Sequence, residues 1–313
     1  MGHALLGLAA VAAPSTPGFW DWSFDPPLVL VVDLGILYWY GNRRTPAPAR
    51  TRKQRRLRHL CFCLGLAVLL IALASPLERL SEQLFWAHML QHILLLVVAP
   101  PLIVAARPWV RLWRALGMEA RRTVVHRFTR GRLTWMRRLS AALGAPLPSF
   151  VLFSGVVLTW HVPVLFDATL HSEVMHALEH TLFFCTALMF WKQVIDSPPL
   201  RAPLSDLWRV AYLVGAMVVM WALAVVLAFA PHPLYGAYAE MASRPGGISA
   251  IADQQIAAGI MWVPGSLPLL VVLFVYCNRW LSPAGGSAPD GLASAPASAK
   301  VAGAATPTLA SNH

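Results

Sequence analysis

The chain has 313 residues, of which 57% are hydrophobic and 12% are charged, and its mean hydropathy is positive. A water-soluble domain of this length cannot bury so much apolar surface, so we expect a lipid bilayer to be its solvent. A formal net charge of +11 usually indicates nucleic acid or an anionic membrane surface as partner. Here the cations lie in short loops between apolar runs, which argues against nucleic-acid binding. The four cysteines lie within apolar runs and are predicted to be free thiols.

Residues 1–25 are predicted to form a periplasmic segment ahead of the membrane domain. Residues 4–13 have the length and the small side chains of a signal-peptide core, but no basic residue precedes them. We therefore expect this segment to be retained and not cleaved.

Seven apolar runs follow, and most have the roughly 17 to 25 residues that a helix needs to cross the hydrocarbon core. The runs lie near residues 26–41, 58–75, 84–106, 147–165, 171–192, 207–230 and 250–277. Prolines interrupt the third run at Pro100-Pro101 and the seventh at Pro264, which membrane helices tolerate when neighbouring groups satisfy the freed backbone. The pattern predicts an all-α fold, a seven-transmembrane-helix bundle over residues 26–280.

The distribution of cations sets the predicted orientation, because Lys and Arg near the membrane stay on the cytoplasmic side. Of the 25 Lys and Arg residues, 23 fall in loops and a tail that seven alternating crossings place on one side. Only Arg79 and Arg244 fall on the other side. This predicts a periplasmic N-terminus and a cytoplasmic C-terminus.

The third loop, residues 107–140, repeats Arg with Trp, Leu, Val and Phe between the cations. This pattern is typical of a basic amphipathic segment on anionic lipid headgroups, and a plain topogenic loop explains it equally well. Beyond this domain the chain is rich in Ala, Pro, Gly and Ser. We therefore expect residues 281–313 to form a disordered cytoplasmic tail.

Histidines concentrate in the predicted outer half of the bundle, where an ionisable side chain is costly and therefore indicates function. His88 and His92 on the third helix, and His176 and His180 on the fifth, are each four residues apart. The two rings of each pair therefore project from one face of their helix. At a rise of about 1.5 Å per residue the two pairs reach similar depths. His161 lies near the outer end of the fourth helix.

Other polar and soft side chains are predicted at the same level. They are Asp253 and Gln254 in the seventh helix, Glu173 and Glu179 in the fifth, and the thioethers of Met89, Met175 and Met261. Imidazole with thioether suits copper, particularly Cu(I), whereas a hard carboxylate cage suits calcium or magnesium.

We therefore predict a copper site in a polar cavity open to the periplasm. The predicted ligands are His88, His92, His176 and His180, with His161 and Asp253 nearby. Glu173 or Glu179 is expected to orient the imidazoles.

Three other functions fit parts of this pattern. His176-Ala-Leu-Glu179-His180 matches the H-x-x-E-H of inverted zinc peptidases, but the match is short and nothing else supports an intramembrane metalloprotease. Histidines on facing helices can also supply both axial ligands of a haem, as in an electron carrier. A metal or proton transporter needs a polar route to the cytoplasm, whereas the third and fifth helices are apolar below His92 and His180.

Three motifs that occur in order carry a family resemblance. They are Trp86-Ala-His88-Met89-Leu-Gln91-His92 with Ala99-Pro100-Pro101-Leu102, then Thr159-Trp160-His161-Val-Pro163 leading through His176-Ala-Leu-Glu179-His180 to Phe190-Trp191, and Asp253-Gln254-Gln255-Ile-Ala-Ala-Gly259-Ile-Met261-Trp262-Val-Pro264-Gly265. Together the chain resembles the CtaG-type cytochrome c oxidase assembly factors associated with caa3 oxidases, over roughly residues 26–280.

The resemblance implies a multi-pass protein of the bacterial inner membrane that helps to mature a haem-copper oxidase by handling copper on the periplasmic side. It implies an oxidase subunit as partner. It does not assign the ligands, and it does not explain the Arg-rich third loop or the tail. We expect a carrier that performs no covalent chemistry, and therefore not an enzyme.

Overall fold

The computed structural model describes residues 26–45, 52–131 and 133–282, together with Gly18. The signal-like segment at residues 4–13 lies outside the described residues. So does the predicted tail beyond residue 282.

Within the described ranges the chain is helical and contains no β-strand, which confirms the all-α prediction. A π-helical turn (Leu94–Val98) joins α4 to α5, and a 3-10 turn (Pro245–Gly247) precedes α14. The α-helices are α1 (Pro26–Arg43), α2 (Arg52–Ala74), α3 (Pro76–Ser81), α4 (Phe85–Ile93), α5 (Ala99–Ala106), α6 (Trp109–Ala115), α7 (Met118–Thr129), α8 (Thr134–Leu143), α9 (Pro146–Trp160), α10 (Pro163–His171), α11 (Glu173–Val194), α12 (Asp206–Phe229), α13 (Gly236–Ala239) and α14 (Ala250–Leu281).

Helix occupies each of the seven predicted apolar runs, but not every one has the length and hydropathy of a membrane span. Five stretches of the described chain meet both requirements: Arg52–Ala74, Phe85–Ala106, Glu173–Val194, Asp206–Phe229 and Ala250–Leu281. A sixth is added if α8 and α9, which meet at 80°, form one bent span. Helix α1 has 18 residues but contains Asp33 and ends in Asn42 and Arg43. The structure therefore shows a multi-pass membrane protein with five or six candidate spans, and seven crossings remain a prediction.

The predicted fourth run, residues 147–165, is not one helix. Helix α9 ends at Trp160, and α10 begins at Pro163, where proline suits the first turn because its missing N–H needs no partner there. The division places His161 at the C-terminal end of α9, where its side chain turns back into the bundle.

The span formed by α4 and α5 changes its hydrogen-bond pattern in the middle. Pro100 has no N–H with which to bond the Leu96 carbonyl four residues earlier. The backbone widens to a π turn, in which the N–H of Ala99 donates to the carbonyl of Leu94. The indole N–H of Trp191, on α11, donates to the freed Leu96 carbonyl at 2.9 Å. A neighbouring helix thus satisfies the interrupted span.

Polar side chains tie the helix ends together at one end of the bundle. Arg209, near the start of α12, lies 3.2 Å from the Asp196 carboxylate and donates to the Tyr276 hydroxyl at 3.0 Å. That hydroxyl in turn donates to the Val194 carbonyl, at the end of α11, at 2.7 Å. The end of α11, the start of α12 and the final turns of α14 therefore meet at one level.

A different set of contacts closes the opposite end. Both carboxylate oxygens of Asp253, in the first turn of α14, accept backbone N–H groups of Phe85 and Trp86 at 2.9 Å. The segment between α12 and α14 folds over this end, and its Tyr235 and Tyr238 are only 2% and 3% exposed. Each long helix thus begins at the level where the one before it ends, as in an antiparallel bundle.

The lateral surface of the bundle is apolar. Large hydrophobic side chains on several long helices are exposed, including Ile36, Leu64, Val218 and Phe274. A water-soluble protein rarely exposes so large an apolar surface, whereas acyl chains cover it at no penalty. The polar groups of the candidate site lie inside the bundle.

Candidate metal site

The two predicted histidine pairs meet inside the bundle. The ring centroids of His88 on α4 and His176 on α11 are 5.1 Å apart, and those of His92 and His180 are 5.8 Å apart. The i, i+4 spacing directs both rings of each pair to one face, and the two faces are turned toward each other. Whether these rings bind a metal ion remains a prediction.

Four side chains have ligand atoms close enough to share one ion. One potential ligand atom from each of His88, His176, Glu179 and His180 lies within 4.8 Å of the other three. These four residues are called the outer cluster below. The side chains of His88 and Glu179 are fully buried, and that of His176 is 15% exposed. Glu179, which the sequence suggested only as an orienting residue, thus lies among the candidate ligands.

The buried ligand atoms of the outer cluster lack hydrogen-bond partners. They are Nε2 of His88, His176 and His180 and both carboxylate oxygens of Glu179. Burying a polar or charged group without a partner is strongly unfavourable. A cation among these atoms would satisfy all of them at once, so the donor set fits a metal ion.

Tyr238 fixes the proton of His88. Its phenol donates to the backbone carbonyl of Ser81, so its oxygen accepts from Nδ1 of His88, which lies 3.2 Å away. Burial, reinforced by the nearby carboxylates of Asp253 and Glu179, raises the pKa of Tyr238 well above its usual value, so the phenol keeps its proton. His88 therefore carries its proton on Nδ1 and presents the lone pair of Nε2 to Glu179, whose Oε2 is 3.4 Å away. This is the tautomer that binds metal through Nε2.

A second carboxylate lies at the most exposed edge of the outer cluster. Nδ1 of His176 is 3.4 Å from Oε1 of Glu78, which comes from the short helix α3. The other Glu78 oxygen accepts from Nε2 of Gln91 at 2.5 Å, and the same nitrogen donates to the Ala72 carbonyl at 2.7 Å. Glu78 is thereby held beside His176, and its side chain is 16% exposed.

The other two predicted ligands, His92 and His161, lie beside the outer cluster and not within it. The Nε2 atom of His92 is 3.4 Å from Oε1 of Glu179. In His161, Nδ1 donates to the Val157 carbonyl at 2.7 Å, so Nε2 presents its lone pair to the thioether of Met89 at 3.3 Å. Neither of these last two atoms has a proton to donate to the other. His161 and Met89 thus form a separate soft pair, with His92 between it and the outer cluster.

Aromatic side chains enclose the site. Phe166 packs 4.8 Å from the His88 ring and 4.2 Å from Tyr235, and Phe183 packs 4.5 Å from His92. The sequence predicted a polar cavity open to the periplasm, and in the described residues the candidate ligands are buried or nearly so. The rings contact each other and fill the space, and the edge formed by His176 and Glu78 is the most exposed part.

Several predicted supporting residues have other roles. Asp253 caps the N-terminus of α4, so it positions His88 and His92 without facing them. Gln254 accepts from the Leu234 N–H at 2.8 Å and donates to the Leu227 carbonyl at 2.9 Å. Glu173 is exposed in the first turn of α11, and Met261 is buried in the apolar core. A role for these four side chains at the site stays a prediction.

Reasoning from the sequence missed Glu78 and Tyr238. Both lie in outer connections, where no helical periodicity relates them to the histidines, and only the packing of α3 and α13 brings them to the site. In the sequence Glu78 stands next to Arg79, and such a pair is typical of an ordinary charged loop. An available signal was its position about one helix turn beyond the second apolar run, residues 58–75.

These features define a multi-pass α-helical membrane protein with a buried imidazole and carboxylate cluster near one end of its bundle. The family model described as "Cytochrome c oxidase caa3 assembly factor (Caa3_CtaG)" matches residues 36–282, which is most of the chain. The protein belongs to this family, as the motifs around His88, His176 and Asp253 indicated.

Curated relatives come from mycobacteria. An uncharacterised protein of Mycobacterium leprae (strain TN) is 25% identical over 265 residues, which cover 84% of this chain and 40% of the relative. An uncharacterised protein of Mycobacterium bovis (strain ATCC BAA-935 / AF2122/97) is 24% identical over 267 residues, covering 83% of this chain and 39% of the relative. The chain therefore spans about two fifths of the length of these relatives. No solved structure matches.

Proposed function

We propose that this protein carries copper for the assembly of a haem-copper cytochrome c oxidase, holding the ion in the outer cluster and passing it to an oxidase subunit. Family membership supplies the assembly role. The observation that carries the copper proposal is the convergence of three imidazoles, each with an Nε2 that has no hydrogen-bond partner, on the Glu179 carboxylate, whose oxygens also accept no hydrogen bond. Copper is the cargo, and the chain holds it and releases it.

The donor set favours copper over the hard cations. Calcium and magnesium take about six or more oxygen ligands, whereas the outer cluster offers three imidazoles and one carboxylate. For such nitrogen-rich sites, affinity among divalent first-row metals is greatest for copper. The His161 and Met89 pair places a soft imidazole and thioether beside the cluster, which suits the cuprous ion.

We also propose seven membrane crossings, with the N-terminus periplasmic, the C-terminus cytoplasmic and the protein in the bacterial inner membrane. In this arrangement α1 is the first span and α9 the fourth, while α8, bent from α9 by 80°, lies at the membrane surface. The alternation of helix ends between two levels supports the proposal, as does the placement of 23 of the 25 Lys and Arg residues on one side. The outer cluster then lies at the periplasmic end.

The segment from residue 107 to residue 140 is proposed to rest on anionic headgroups. It forms α6, α7 and α8, which combine many Arg side chains with exposed apolar ones. The exposed apolar residues are Val110, Trp113, Met118, Val125, Trp135, Met136 and Leu139. Arg with interfacial Trp is typical of segments that lie on a membrane surface.

The alternatives fit the geometry less well. A peptidase needs its glutamate free to activate water, but Glu179 lies among the candidate ligands. A haem would have to lie as a plate between facing imidazoles that contact each other, since the His88 and His176 centroids are only 5.1 Å apart. A transporter needs a polar route, but Phe183 and Phe190 are fully buried below the histidines.

Metal titration of the purified full-length protein tests the proposal. The parent should bind stoichiometric copper, and His88→Ala and His176→Ala should each lower copper affinity at least about tenfold, the scale on which metal sites respond to lost ligand groups. His232→Ala is the matched control, because His232 is exposed on the same side of the bundle. Elemental analysis and competition with a copper chelator give the stoichiometry and the affinity.

A second pair of variants separates the two glutamates of α11. Glu179→Gln removes the buried carboxylate and should weaken copper binding, whereas Glu173→Gln should leave it unchanged because Glu173 is exposed. Thermal unfolding of each variant identifies losses caused by misfolding. Equal copper content in the parent, His88→Ala and His176→Ala would remove the site, and a Soret band with stoichiometric iron would replace copper by haem.

A further inference from the structure

A second cluster of polar groups lies at the opposite end of the molecule from the outer cluster. A cleft of about 360 Å³ separates the first turns of α2 from the end of α5. Its lining residues are Gln54, Leu57, Arg58, Cys61, Ala105 and Arg107. It is called the basic cleft below. Neither the copper site nor the family assignment uses it.

The charge of the basic cleft is positive and uncompensated. Arg58 lies within electrostatic reach of Arg107 and Arg111, and Arg111 within reach of Arg55. Arg55 is held in place by a hydrogen bond to the Asn42 side chain at 3.0 Å. In the described ranges, no carboxylate forms an ion pair with any of these four guanidiniums.

Arg111 is buried without an anionic partner. It is only 9% exposed, and its Nε has no hydrogen-bond partner. Its Nη1 reaches the carbonyls of Ala106 and Arg107 only at 3.4 Å, and its guanidinium lies 5.3 Å from the Tyr38 ring. Burial lowers the pKa of Arg111, but an arginine keeps its charge in a protein. Arg111 does not line the cleft, but its charge acts on Arg58, which does, so an anion in the cleft would offset the charge of both.

The backbone of Arg107 is held in an unusual conformation. Its φ is 54°, and it is the only residue other than glycine with positive φ in the described ranges. The left-handed conformation ends α5 and turns the chain toward α6, with Pro108 between them. Such strain persists where the surroundings enforce it, and it concentrates at binding sites. Here it sets the side chain of Arg107 in the wall of the cleft.

The two helices behind the cleft are fixed by a direct backbone contact. A Cβ atom at Gly41 would clash with the Arg111 carbonyl oxygen, so only glycine allows α1 to approach α6 this closely. The contact keeps Arg111 beside α1 and Tyr38 before any ligand binds. Preorganised cations bind an anion without the loss of side-chain freedom that exposed arginines incur.

We propose that the basic cleft binds a phosphate group. Guanidiniums from two chain segments, at α2 and at the turn between α5 and α6, converge on it, and arginine matches the geometry of phosphate oxygens. Two sources present this chemistry at the end of a membrane bundle: the headgroup of an anionic phospholipid and a free phosphate ion. The apolar wall formed by Leu57 and Ala105 extends the site for a lipid, and the cations serve either source.

The experiment uses the full-length protein in a neutral detergent at fixed ionic strength. Thermal unfolding is followed during titration with short-chain phosphatidylglycerol, with short-chain phosphatidylcholine and with inorganic phosphate. Arg58→Gln and Arg107→Gln should each weaken the apparent affinity for the stabilising ligand about tenfold or more, as expected for one charge-assisted hydrogen bond. Arg56→Gln and Arg122→Gln remove the same charge from exposed positions outside the cleft and should leave the affinity unchanged.

The outcomes distinguish the sources and the failure of the proposal. Stabilisation by phosphatidylglycerol alone identifies a lipid headgroup, and stabilisation by inorganic phosphate identifies a free anion. Arg58→Lys, which keeps the charge, should recover part of the affinity and show that the Arg58 variants fold. Loss of affinity to the same extent in Arg56→Gln would mean diffuse attraction to the basic surface and would overturn the site. Absence of stabilisation by both phosphate sources would overturn it as well.

Discussion

The position of one proton decides whether His88 can bind a metal ion. An imidazole binds through a nitrogen that carries a lone pair, so the other nitrogen must hold the proton. Tyr238 sets this arrangement, because its own proton goes to the Ser81 carbonyl and its oxygen is left to accept from Nδ1 of His88. A tyrosine outside the outer cluster therefore prepares one of its candidate ligands.

We predict that Tyr238→Phe lowers copper affinity by about 10- to 100-fold, the range found when a group that orients a metal ligand is removed. Nδ1 of His88 loses its acceptor, so the tautomer with the proton on Nε2 becomes accessible and competes with metal binding. Competition between the protein and a copper chelator gives the dissociation constant.

Tyr235→Phe is the matched control for this effect. Its phenol belongs to the same covering segment but donates to the backbone carbonyl of His161 at 3.1 Å and not to an imidazole. The control should keep the parent's affinity. Equal losses in both variants would show that the tyrosines act only by closing the end of the bundle.

The span that carries His88 and His92 depends on its neighbour for a hydrogen bond. The break at Pro100 leaves the Leu96 carbonyl without an intrahelical donor, and the fully buried Trp191 supplies one from α11. The same two elements carry the histidine pairs, α4 ahead of the break and α11 in the opposite direction. The bond therefore fixes the relative position of the two helices that form the outer cluster.

We predict that Trp191→Phe destabilises the protein by about 1–3 kcal/mol, because it leaves the buried Leu96 carbonyl unpaired. The melting temperature in detergent should fall accordingly. Copper affinity should also decrease, since α11 loses one of the contacts that hold it against the span of α4 and α5.

Trp208→Phe provides the comparison for this substitution. Trp208 lies on α12 and is 66% exposed, so the same change there should leave the melting temperature within the error of measurement. A Trp191→Phe variant as stable as Trp208→Phe would mean that the Leu96 carbonyl finds another donor.

The whole molecule has two chemically different ends. One carries Arg209, the basic cleft and the Arg-rich helices α6 to α8, and the other carries the outer cluster beneath Tyr235 and Tyr238. The number of crossings and the direction of insertion determine which side of the membrane each end faces. Both can be tested without any metal.

We predict that a cysteine at position 79 reacts with a membrane-impermeant thiol reagent in intact cells, whereas a cysteine at position 122 reacts only after permeabilisation. Arg79→Cys and Arg122→Cys are introduced singly after the four native cysteines are replaced by alanine, and both positions are exposed. Labelling at position 122 in intact cells would reverse the orientation. Labelling at both positions would change the number of crossings between them.

Local patterns predicted the helices and the meeting of the histidine pairs. The length of an apolar run is a property of the sequence alone, and the i, i+4 spacing of His88 and His92 fixes the face on which both rings lie. The division of the fourth run at Pro163 was missed because its apolar residues continue across the proline. The π turn depends on Trp191, a residue 91 positions after Pro100, and is a tertiary feature.

The polar residues Asp253 and Gln254 show the same limit at the site. Asp253 and Gln254 were placed at the correct end of the bundle, but their partners are backbone groups of Phe85, Trp86, Leu234 and Leu227. A sequence does not distinguish a carboxylate that caps a neighbouring helix from one that faces an ion. Glu78 and Tyr238 were missed because they lie in connections that come close to the histidines only in the folded protein.

The close packing around the outer cluster restricts the route by which an ion could reach or leave it. It is covered on one side by Phe166, Tyr235 and Tyr238 and on another by Phe183. The route to solvent therefore passes His176 and Glu78, the most exposed edge. If copper is the cargo, it enters and leaves the cluster past this same edge. The protein that supplies copper and the oxidase subunit that receives it would then bind at the same position, and only one of them could be bound at a time.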